Sequence, residues 1–201
     1  MKFEPRSFNI PKLKGISETN IREHLKLYEG YVNNANLVLQ RLAEYEQDRE
    51  ENLYMIGELG RRFSFEFNGM RNHEVYFSSL EDGPKKLTDA GILKEALTKE
   101  WGSFENWLSS LKTLALTRGI GWAALYYDRV SGRLINTWID EQHMGQLQNS
   151  AMIFGIDMWE HAYVFDYQPS GKKKYIEDFV SNVNWESVER NFDDAAKTKR
   201  P

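Results

Sequence analysis

The feature that most constrains the fold of this sequence is a long series of apolar residues at steps of three and four. An α-helix turns once in about 3.6 residues, so this spacing places the series on one helix face. The series follows Ser17, a residue type that caps helix N-termini, and Glu18 adds a carboxylate to the first turn. Its members are Ile21, Leu25, Tyr28, Val32, Ala35, Leu39 and Leu42. The N-terminal part of the chain must therefore contain a long helix that buries one face.

A second helical series follows, and a polar linker ends it. The charged run EYEQDREEN, residues 44–52, closes the first helix, and a short helix is predicted over residues 53–59. Residues 81–89, EDGPKKLTD, are polar and contain Gly-Pro, which is typical of a linker. The second series consists of Phe63, Phe67, Met70, His73, Phe77 and Leu80. These patterns predict an N-terminal helical hairpin domain that spans residues 1–84.

The remaining residues, 85–201, combine helices with strands. Two helices are predicted, near residues 89–100 and over residues 103–117, and Ser103 is the cap of the second. The runs GWAALYYDR and RLINTWID flank a Ser-Gly turn and predict a hairpin, and AMIFGID predicts a third strand that ends at Asp157. Two helices, YIEDFVSNV and NWESVERNF, and a frayed tail, DDAAKTKRP, follow. The predicted fold class is α+β, with a C-terminal domain of helices around a small three-stranded antiparallel sheet.

Composition excludes several classes of function. The sequence contains no cysteine, which removes disulfides, thiolate metal sites, iron–sulfur clusters and cysteine nucleophiles. The formal net charge is -4 and the acidic and basic residues are interspersed, so no basic patch indicates nucleic-acid binding. No apolar run has the length of a signal peptide or of a membrane span. We therefore expect a cytoplasmic protein that binds neither nucleic acid nor membranes.

The segment GIDMWEHAYVFDY, residues 155–167, concentrates ionisable side chains among aromatic ones. It brings Asp157, Glu160 and His161 together with one Trp, one Phe and two Tyr residues. Burial of two carboxylates and an imidazole among aromatic rings is costly unless they are paired or bound to something. A metal ion is one such partner, provided that the rest of the chain supplies further ligands.

The candidate ligands are few, because His24, His73, His143 and His161 are the four histidines of the chain. His24 lies beside the first apolar series, and His73 lies on the second. Combined with Asp157 and His161, they would make a site of three imidazoles and one carboxylate. A site without sulfur suits iron, manganese or zinc better than copper(I). The residues therefore indicate a metal site, although each has an ordinary alternative.

The ordinary alternatives follow from general packing rules. His24 and His73, each taken alone, are typical of hydrogen-bonded core histidines. Asp and His four residues apart can form an ion pair on one helix face. Tyr31 would be a core residue and Glu160 a surface charge. The spacing of the residues alone does not decide between these alternatives and a metal site.

A resemblance to a known family favours the metal site. The octapeptide DMWEHAYV resembles the signature D-x-W-E-H-A-Y-Y of the iron/manganese superoxide dismutases and departs from it only at Val164. The resemblance continues in chain order from about residue 11 to residue 195. The family's first helix is similar to ISETNIREHLKLYEGYVNNAN, and its NGxxNHxxxW segment is similar to FNGMRNHEVYF. A helix start of the family is similar to EWGSFENW, and its G-S-G-W strand is similar to GIGWAALYYD. Its closing helix is similar to NWESVERNF.

The resemblance implies a ligand set and a substrate channel. His24, His73, Asp157 and His161 would bind one manganese or iron ion per subunit. Tyr31 would line the channel and steady its hydrogen bonds. The activity implied is the conversion of superoxide to dioxygen and hydrogen peroxide by redox cycling of that ion.

The resemblance also implies an aromatic shell and a subunit interface. Trp122, Trp159 and Phe77 would keep the site dry. Glu160 and Tyr163 would reach the interface of a homodimer or tetramer, where the family pairs the Glu with the ligand His of the partner.

One further residue of the family hydrogen-bonds the solvent molecule at the metal. Iron-type members usually supply a Gln from the helix of the second ligand, but that position is Gly69 here, as in manganese-type members. Manganese-type members supply a Gln or a His from the loop before the third strand, which is WIDEQHMGQ here. Gln142 fits this role by its separation from Asp157, and His143 is the rival. This pattern favours manganese over iron, or a site that can use either metal.

The sequence departs from the family pattern near the first ligand. The family often has Lys-His-His between this ligand and the tyrosine, and the segment is one residue shorter here, so that Leu27 replaces a histidine that would pair with Tyr163. The family tryptophan after the second ligand is Phe77. Both departures concern proton transfer and redox tuning rather than the fold.

Two other functions are compatible with the same residues. The first is a zinc hydrolase, in which Glu160 would be the general base. The second is a non-enzymatic or weakly active metal-binding dimer that retains the dismutase fold. For any of the three, acid should release the metal, because imidazole must be neutral to bind it.

Overall fold

The computed structural model describes residues 2–198 and confirms the α+β class. Helices form the N-terminal half, and a three-stranded antiparallel sheet with flanking helices forms the rest. The elements in chain order are α1 (Glu18–Tyr45), a 3-10 helix (Glu46–Glu51), α2 (Leu53–Ser78), α3 (Ile92–Trp101), α4 (Phe104–Ala115), β1 (Gly121–Asp128), β2 (Leu134–Asp140), β3 (Ser150–Asp157), two 3-10 turns (Glu160–Ala162 and Pro169–Gly171), α5 (Lys172–Ser181) and α6 (Trp185–Lys197).

The helical hairpin of α1 and α2 supplies half of the future site. The N-terminus of α1 is capped as predicted, because Ser17 Oγ accepts a hydrogen bond from the Asn20 backbone N–H at 3.1 Å. The apolar face of α1 packs along α2. His24 is buried on this face of α1, and His73 is buried on α2.

The prediction of a separate short helix over residues 53–59 is wrong, because α2 runs unbroken from Leu53 to Ser78. Gly60 and two arginines interrupt the apolar series, which made the segment look like two helices. An interior glycine costs a helix only about 1 kcal/mol. Ion pairs along the helix, from Arg61 to Glu58 and from Arg62 to Glu66, support the continuous form.

The sheet has the strand order β2-β1-β3, with β1 in the centre. The hairpin of β1 and β2 and the third strand agree with the sequence prediction. β1 pairs with β3 so that Trp122 lies opposite Asp157. This register places the last residue of β3 beside a buried tryptophan.

The C-terminal helices cover the sheet, and the last is longer than predicted. Residues 193–197 belong to α6, so the predicted fraying of DDAAKTKRP is wrong for these residues; residues 199–201 lie outside the described part. The helix extends because Val188, Phe192 and Ala195 are buried in the core. Steps of four and three thus continue the apolar face past the predicted end.

Both halves of the chain contribute to one hydrophobic core. Ile21 and Met70 from the helical hairpin belong to the same cluster as Phe154 and Val188 from the C-terminal half. Within residues 2–198, no helix combines the length and the apolar character that a bilayer crossing requires.

Candidate metal centre

Four elements bring together the four residues that the sequence identified as metal ligands. His24 comes from α1 and His73 from α2, Asp157 is the last residue of β3, and His161 lies in the 3-10 turn Glu160–Ala162. One ligand atom from each residue lies within 4.8 Å of the others. The ordinary alternative of Asp157 and His161 as a pair on one helix face is excluded, because a strand end and a turn hold them.

The carboxylate of Asp157 lies at the centre of the cluster. Its Oδ2 is 3.1 Å from Nε2 of His161, 3.2 Å from Nε2 of His24 and 3.5 Å from Nε2 of His73. Asp157, His24 and His73 are fully buried, and His161 is half-buried. A single carboxylate oxygen therefore faces three imidazole nitrogens in a largely buried pocket.

The residues present fit a metal ion. Nε2 of His24 and Nε2 of His73 are buried, and neither has a hydrogen-bond partner among residues 2–198. Buried polar nitrogens without partners are costly. An ion that accepts their lone pairs removes this cost. The donor set of three nitrogens and one oxygen suits manganese or iron.

Hydrogen bonds to the backbone orient two of the ligands. Nδ1 of His73 donates to the carbonyl of Gly69 at 2.6 Å, which leaves the lone pair on Nε2. Oδ1 of Asp157 accepts from the backbone N–H of Trp159 at 2.8 Å, which leaves Oδ2 for the cluster. The hydroxyl of Tyr175 donates to the Asp157 carbonyl at 3.0 Å and steadies the end of β3.

The electrostatics of the pocket keep these ligands in the metal-binding state. Burial lowers the pKa of His73 to about 3, and the neighbouring His24 adds to the effect. Burial also lowers the pKa of His24, against the attraction of the Asp157 carboxylate. Burial alone would raise the pKa of Asp157, but the nearby imidazoles of His161 and His24 outweigh it and hold this pKa below its usual value. Neutral imidazole and ionised carboxylate are the forms that bind metals.

A chain of hydrogen bonds leads away from the cluster through Gln142. Nε1–H of Trp122 donates to Oε1 of Gln142 at 2.9 Å, and Nε2–H of Gln142 donates to the hydroxyl of Tyr31 at 3.0 Å. The ring of Tyr31 lies 5.1 Å from the ring of His73. Nδ2–H of Asn72 donates to the Gln142 carbonyl at 2.9 Å, so the loop residue is held at its backbone as well.

His143 lies beside this chain rather than in it. Its ring packs edge-on against Phe65, with the ring centroids 5.7 Å apart. Its Nδ1 is buried and has no hydrogen-bond partner among the residues that the structure describes. Of the two residues that the sequence left as rivals, Gln142 is the one hydrogen-bonded to Tyr31.

Aromatic rings enclose the cluster, as the resemblance implied, and two of them were not predicted to lie at the site. The rings of Phe77 and Trp122 lie 4.9 Å from His24 and 5.1 Å from His73, and Trp159 stacks on His161 at 5.7 Å. Tyr76 lies 5.0 Å from His24, and Tyr28 stacks on His73 at 6.5 Å. The last two occupy apolar helix positions, where sequence gives no signal beyond that of a core residue.

The structure also locates the residues assigned to a subunit interface. Glu160 is exposed and, with His161 and Phe165, lines a surface cavity of about 390 Å³. The ring of Tyr163 stacks on Tyr175, and its hydroxyl makes no hydrogen bond within residues 2–198. Leu27, which replaces the family histidine, is half-buried. The candidate ligand His161 thus faces a cavity that opens onto the surface.

Comparison with known proteins shows the family of the chain. The family model of iron/manganese superoxide dismutases, C-terminal domain, matches residues 89–191. The chain is 32% identical over 194 residues to the iron superoxide dismutase of Cupriavidus metallidurans, which covers 95% of each chain. It is 33% identical over 202 residues to that of Aquifex pyrophilus, which covers 98% of this chain and 93% of the relative.

A manganese enzyme is similar to the same extent. The mitochondrial manganese superoxide dismutase of Schizosaccharomyces pombe is 32% identical over 184 residues, which covers 88% of this chain and 80% of the relative. Metal type therefore varies among relatives of equal similarity, while the family does not. The chain belongs to the iron/manganese superoxide dismutase family.

Proposed function

We propose that His24, His73, Asp157 and His161 hold the manganese or iron ion with which this oxidoreductase converts superoxide to dioxygen and hydrogen peroxide. The observation that carries the proposal is the convergence of their ligand atoms within 4.8 Å in a buried pocket. The nitrogens without partners at His24 and His73 support it, because they are otherwise a cost to the fold.

When bound, the ion supplies one-electron chemistry by alternating between its divalent and trivalent states. The chain supplies a negative charge beside the ion and fixes the orientation of the side chains that would bind it. Asp157 contributes a negative charge that offsets part of the charge of the cation. The carbonyl of Gly69 fixes the tautomer of His73, and the N–H of Trp159 fixes the carboxylate of Asp157.

Tyr31 and Gln142 would hold the protons that the reaction needs. Because the Tyr31 oxygen accepts the N–H of Gln142, the hydroxyl proton of Tyr31 is free to point into the pocket. Burial raises the pKa of Tyr31 above its usual value, and the Asp157 carboxylate adds to the effect, so the proton is retained at neutral pH. Tyr31 can therefore donate a hydrogen bond to a small anion. Trp122 holds the Gln142 amide from the other side.

We infer that manganese is favoured over iron in this chain. A side chain at position 69 has no room, because a Cβ there would lie 2.5 Å from a ring carbon of Tyr31. The amide beside Tyr31 comes instead from Gln142 in the loop before β3. The resemblance associates this arrangement with manganese. The measurement is the metal content of protein expressed with both metals supplied, followed by separate reconstitution.

The chain is proposed to form a homodimer or a tetramer through Glu160 and Tyr163. The cavity beside His161 supports this, since Val164 and Phe165 expose apolar surface around it and Phe165 is 63% exposed. A partner's carboxylate could then reach the exposed edge of His161. Sedimentation of Phe165→Asp beside the unaltered chain tests the interface: a monomeric variant supports it, and an unchanged assembly contradicts it.

Two further statements from the sequence remain predictions. The division into domains at residues 1–84 and 85–201 is proposed on the linker between α2 and α3, and limited proteolysis within residues 81–89 would test it. The cytoplasmic location stays a prediction, to be tested by cell fractionation. The non-enzymatic alternative has no support among the relatives named above, which are superoxide dismutases.

The experiment that tests the proposed function is superoxide decay after pulse radiolysis. Protein loaded with manganese, protein loaded with iron and metal-free protein are compared, each with a His161→Ala counterpart. Catalysis by a loaded form, lost without metal and lost in the variant, supports the proposal. Equal decay in the loaded and metal-free forms contradicts it.

A further inference from the structure

A single aromatic ring, Phe65 of α2, joins the outer residues of the candidate site. Its centroid lies 5.9 Å from the ring of Tyr31, 5.7 Å from that of His143 and 6.4 Å from that of Trp159. These contacts come from α1, from the loop after β2 and from the turn after β3. Phe65 is therefore placed where the three segments around Tyr31 meet.

A charged pair on α2 includes the residue that lies over this ring. The Arg62 guanidinium carbon lies 3.8 Å from the Phe65 centroid, within the range of a cation–π contact. Nε–H of Arg62 donates to Oε1 of Glu66 at 2.7 Å. The side chain of Arg62 is 50% exposed, whereas that of Glu66 is 5% exposed. The cation faces solvent, and the anion is inside.

One of the two carboxylate oxygens of Glu66 accepts a hydrogen bond from Arg62, and the other does not. Its second oxygen, Oε2, is buried and has no hydrogen-bond partner in the part of the chain that the structure describes. The charges of this pair also act on Tyr31: Glu66 raises the pKa of Tyr31 and Arg62 lowers it, beside the larger effects of burial and of Asp157. A buried carboxylate near the tyrosine opposes the approach of an anion, and within residues 2–198 Arg62 is the one charged residue that bonds to it.

We propose that Arg62 and Glu66 form a charge gate that controls the entry of small monovalent anions, superoxide among them, past Phe65 to Tyr31. The inference rests on the proposed function only for the identity of the natural anion. Arg62 neutralises the charge of the Glu66 carboxylate and presents a cation to solvent, and the Phe65 ring fixes the position of its guanidinium group. Arg62 and Glu66 are positioning residues, since neither is among the proposed metal ligands.

The test is a set of variants with one matched control. Arg62→Ala removes the cation that pairs with the buried carboxylate of Glu66. Glu66→Gln removes the negative charge without changing the shape of the side chain, and the double variant removes both charges. Arg61→Ala is the control: Arg61 is the next residue, is 71% exposed and pairs with Glu58 at 2.7 Å, yet no aromatic contact involves it among residues 2–198. It changes the net charge as Arg62→Ala does.

The first measurement is kcat/KM for superoxide against ionic strength. We expect Arg62→Ala to lower kcat/KM by about three- to tenfold at low salt with kcat nearly unchanged, because the charge acts on the encounter. The loss should shrink towards about 1 M salt, where the Debye length is about 3 Å. Glu66→Gln should match or exceed the unaltered protein, and the double variant should recover to within about twofold. Arg61→Ala should stay within about twofold throughout.

The second measurement needs neither metal nor activity. In the metal-free protein, quenching of tryptophan fluorescence by iodide, an anion, is compared with quenching by neutral acrylamide, because the half-buried Trp159 lies against Phe65. Arg62→Ala should lower the iodide-to-acrylamide ratio and Glu66→Gln should raise it, while Arg61→Ala leaves it unchanged.

The outcomes separate this inference from the proposed function. Equal effects of Arg62→Ala and Arg61→Ala in both measurements would overturn the gate, as would a loss in Arg62→Ala that neither salt nor Glu66→Gln relieves. If the unaltered protein is inactive, only the proposed function is overturned, because the quenching ratios still test whether Arg62 and Glu66 form a charge gate. Thermal midpoints of all variants identify any change that comes from misfolding.

Discussion

At the residue scale, Gln142 and His143 make the sharpest test of the site. Gln142 links Trp122 to Tyr31, whereas His143 packs against Phe65. We expect Gln142→Ala to lower activity by about 10–100-fold, the usual size for an outer residue that tunes a metal site, and to alter the visible spectrum of the loaded protein. His143→Ala should keep activity within about threefold. If only His143→Ala alters both rate and spectrum, the assignment of Gln142 is wrong.

The sequence points to the candidate ligands of this site more directly than to the groups that support them. Asp157 and His161 fall in a signature whose residue types are rare together, so a resemblance is enough to propose them. The hydrogen bond from Tyr175 to the Asp157 carbonyl could not be predicted, because Tyr175 lies 18 residues away on another element and its sequence context is that of a core residue. The carbonyl of Gly69, which orients His73, is a backbone group and has no side-chain signal at all.

At the scale of the element, α2 carries a close contact that a single methyl group would break. A Cβ at Gly69 would lie 2.5 Å from the Tyr31 ring, so Gly69→Ala must displace the tyrosine. We expect a loss of about 1–3 kcal/mol in the free energy of unfolding, typical of overpacking, together with reduced activity. Urea unfolding and superoxide decay measure the two effects.

Gly57→Ala is the matched control on the same helix. No heavy atom lies within 4 Å of a Cβ at Gly57, which is exposed. Because alanine favours a helix over glycine, this change should stabilise the protein by about 0.5–1 kcal/mol and leave activity unchanged. Equal stability of the two variants would contradict the proposed contact between Gly69 and Tyr31.

The α-helices and strands were predicted in order, apart from the division of α2 and the early end of α6. Periodicity identified α1 because one face of it is buried, and apolar runs identified β1 and β3, which are largely buried. It divided α2 at Gly60, since the first turns of that helix are exposed and need no apolar face. It ended α6 early because Asp193 and Asp194 look like a solvated tail, although Ala195 is buried. Tertiary packing decided both cases, and it is not visible in local composition.

At the scale of the whole molecule, the proposed metal ligands come from both halves of the chain. His24 and His73 belong to the helical hairpin, whereas Asp157 and His161 follow the sheet. Binding to the folded form alone stabilises by RT ln(1 + [L]/Kd), about 4 kcal/mol at a thousandfold excess over Kd. Removal of the metal should therefore lower the thermal midpoint by about 10 °C for a chain of this size. His143→Ala should keep this difference in scanning calorimetry, and Asp157→Ala should abolish it; a difference that survives in Asp157→Ala places the metal elsewhere.

The pH dependence of the metal-free protein follows from the same buried groups. Folding lowers the pKa of His73 from 6.5 to about 3, so between these values the unfolded chain binds more protons than the folded one. Stability therefore rises with pH across this window and is lost as pH falls through it. The lowered pKa values of His24 and Asp157 act in the same direction. We expect urea unfolding to show a loss of about 2–4 kcal/mol between pH 7 and pH 4. His73→Gln, which carries no titrating imidazole there, should flatten the slope. A slope unchanged in this variant would mean that His73 is not buried in its neutral form.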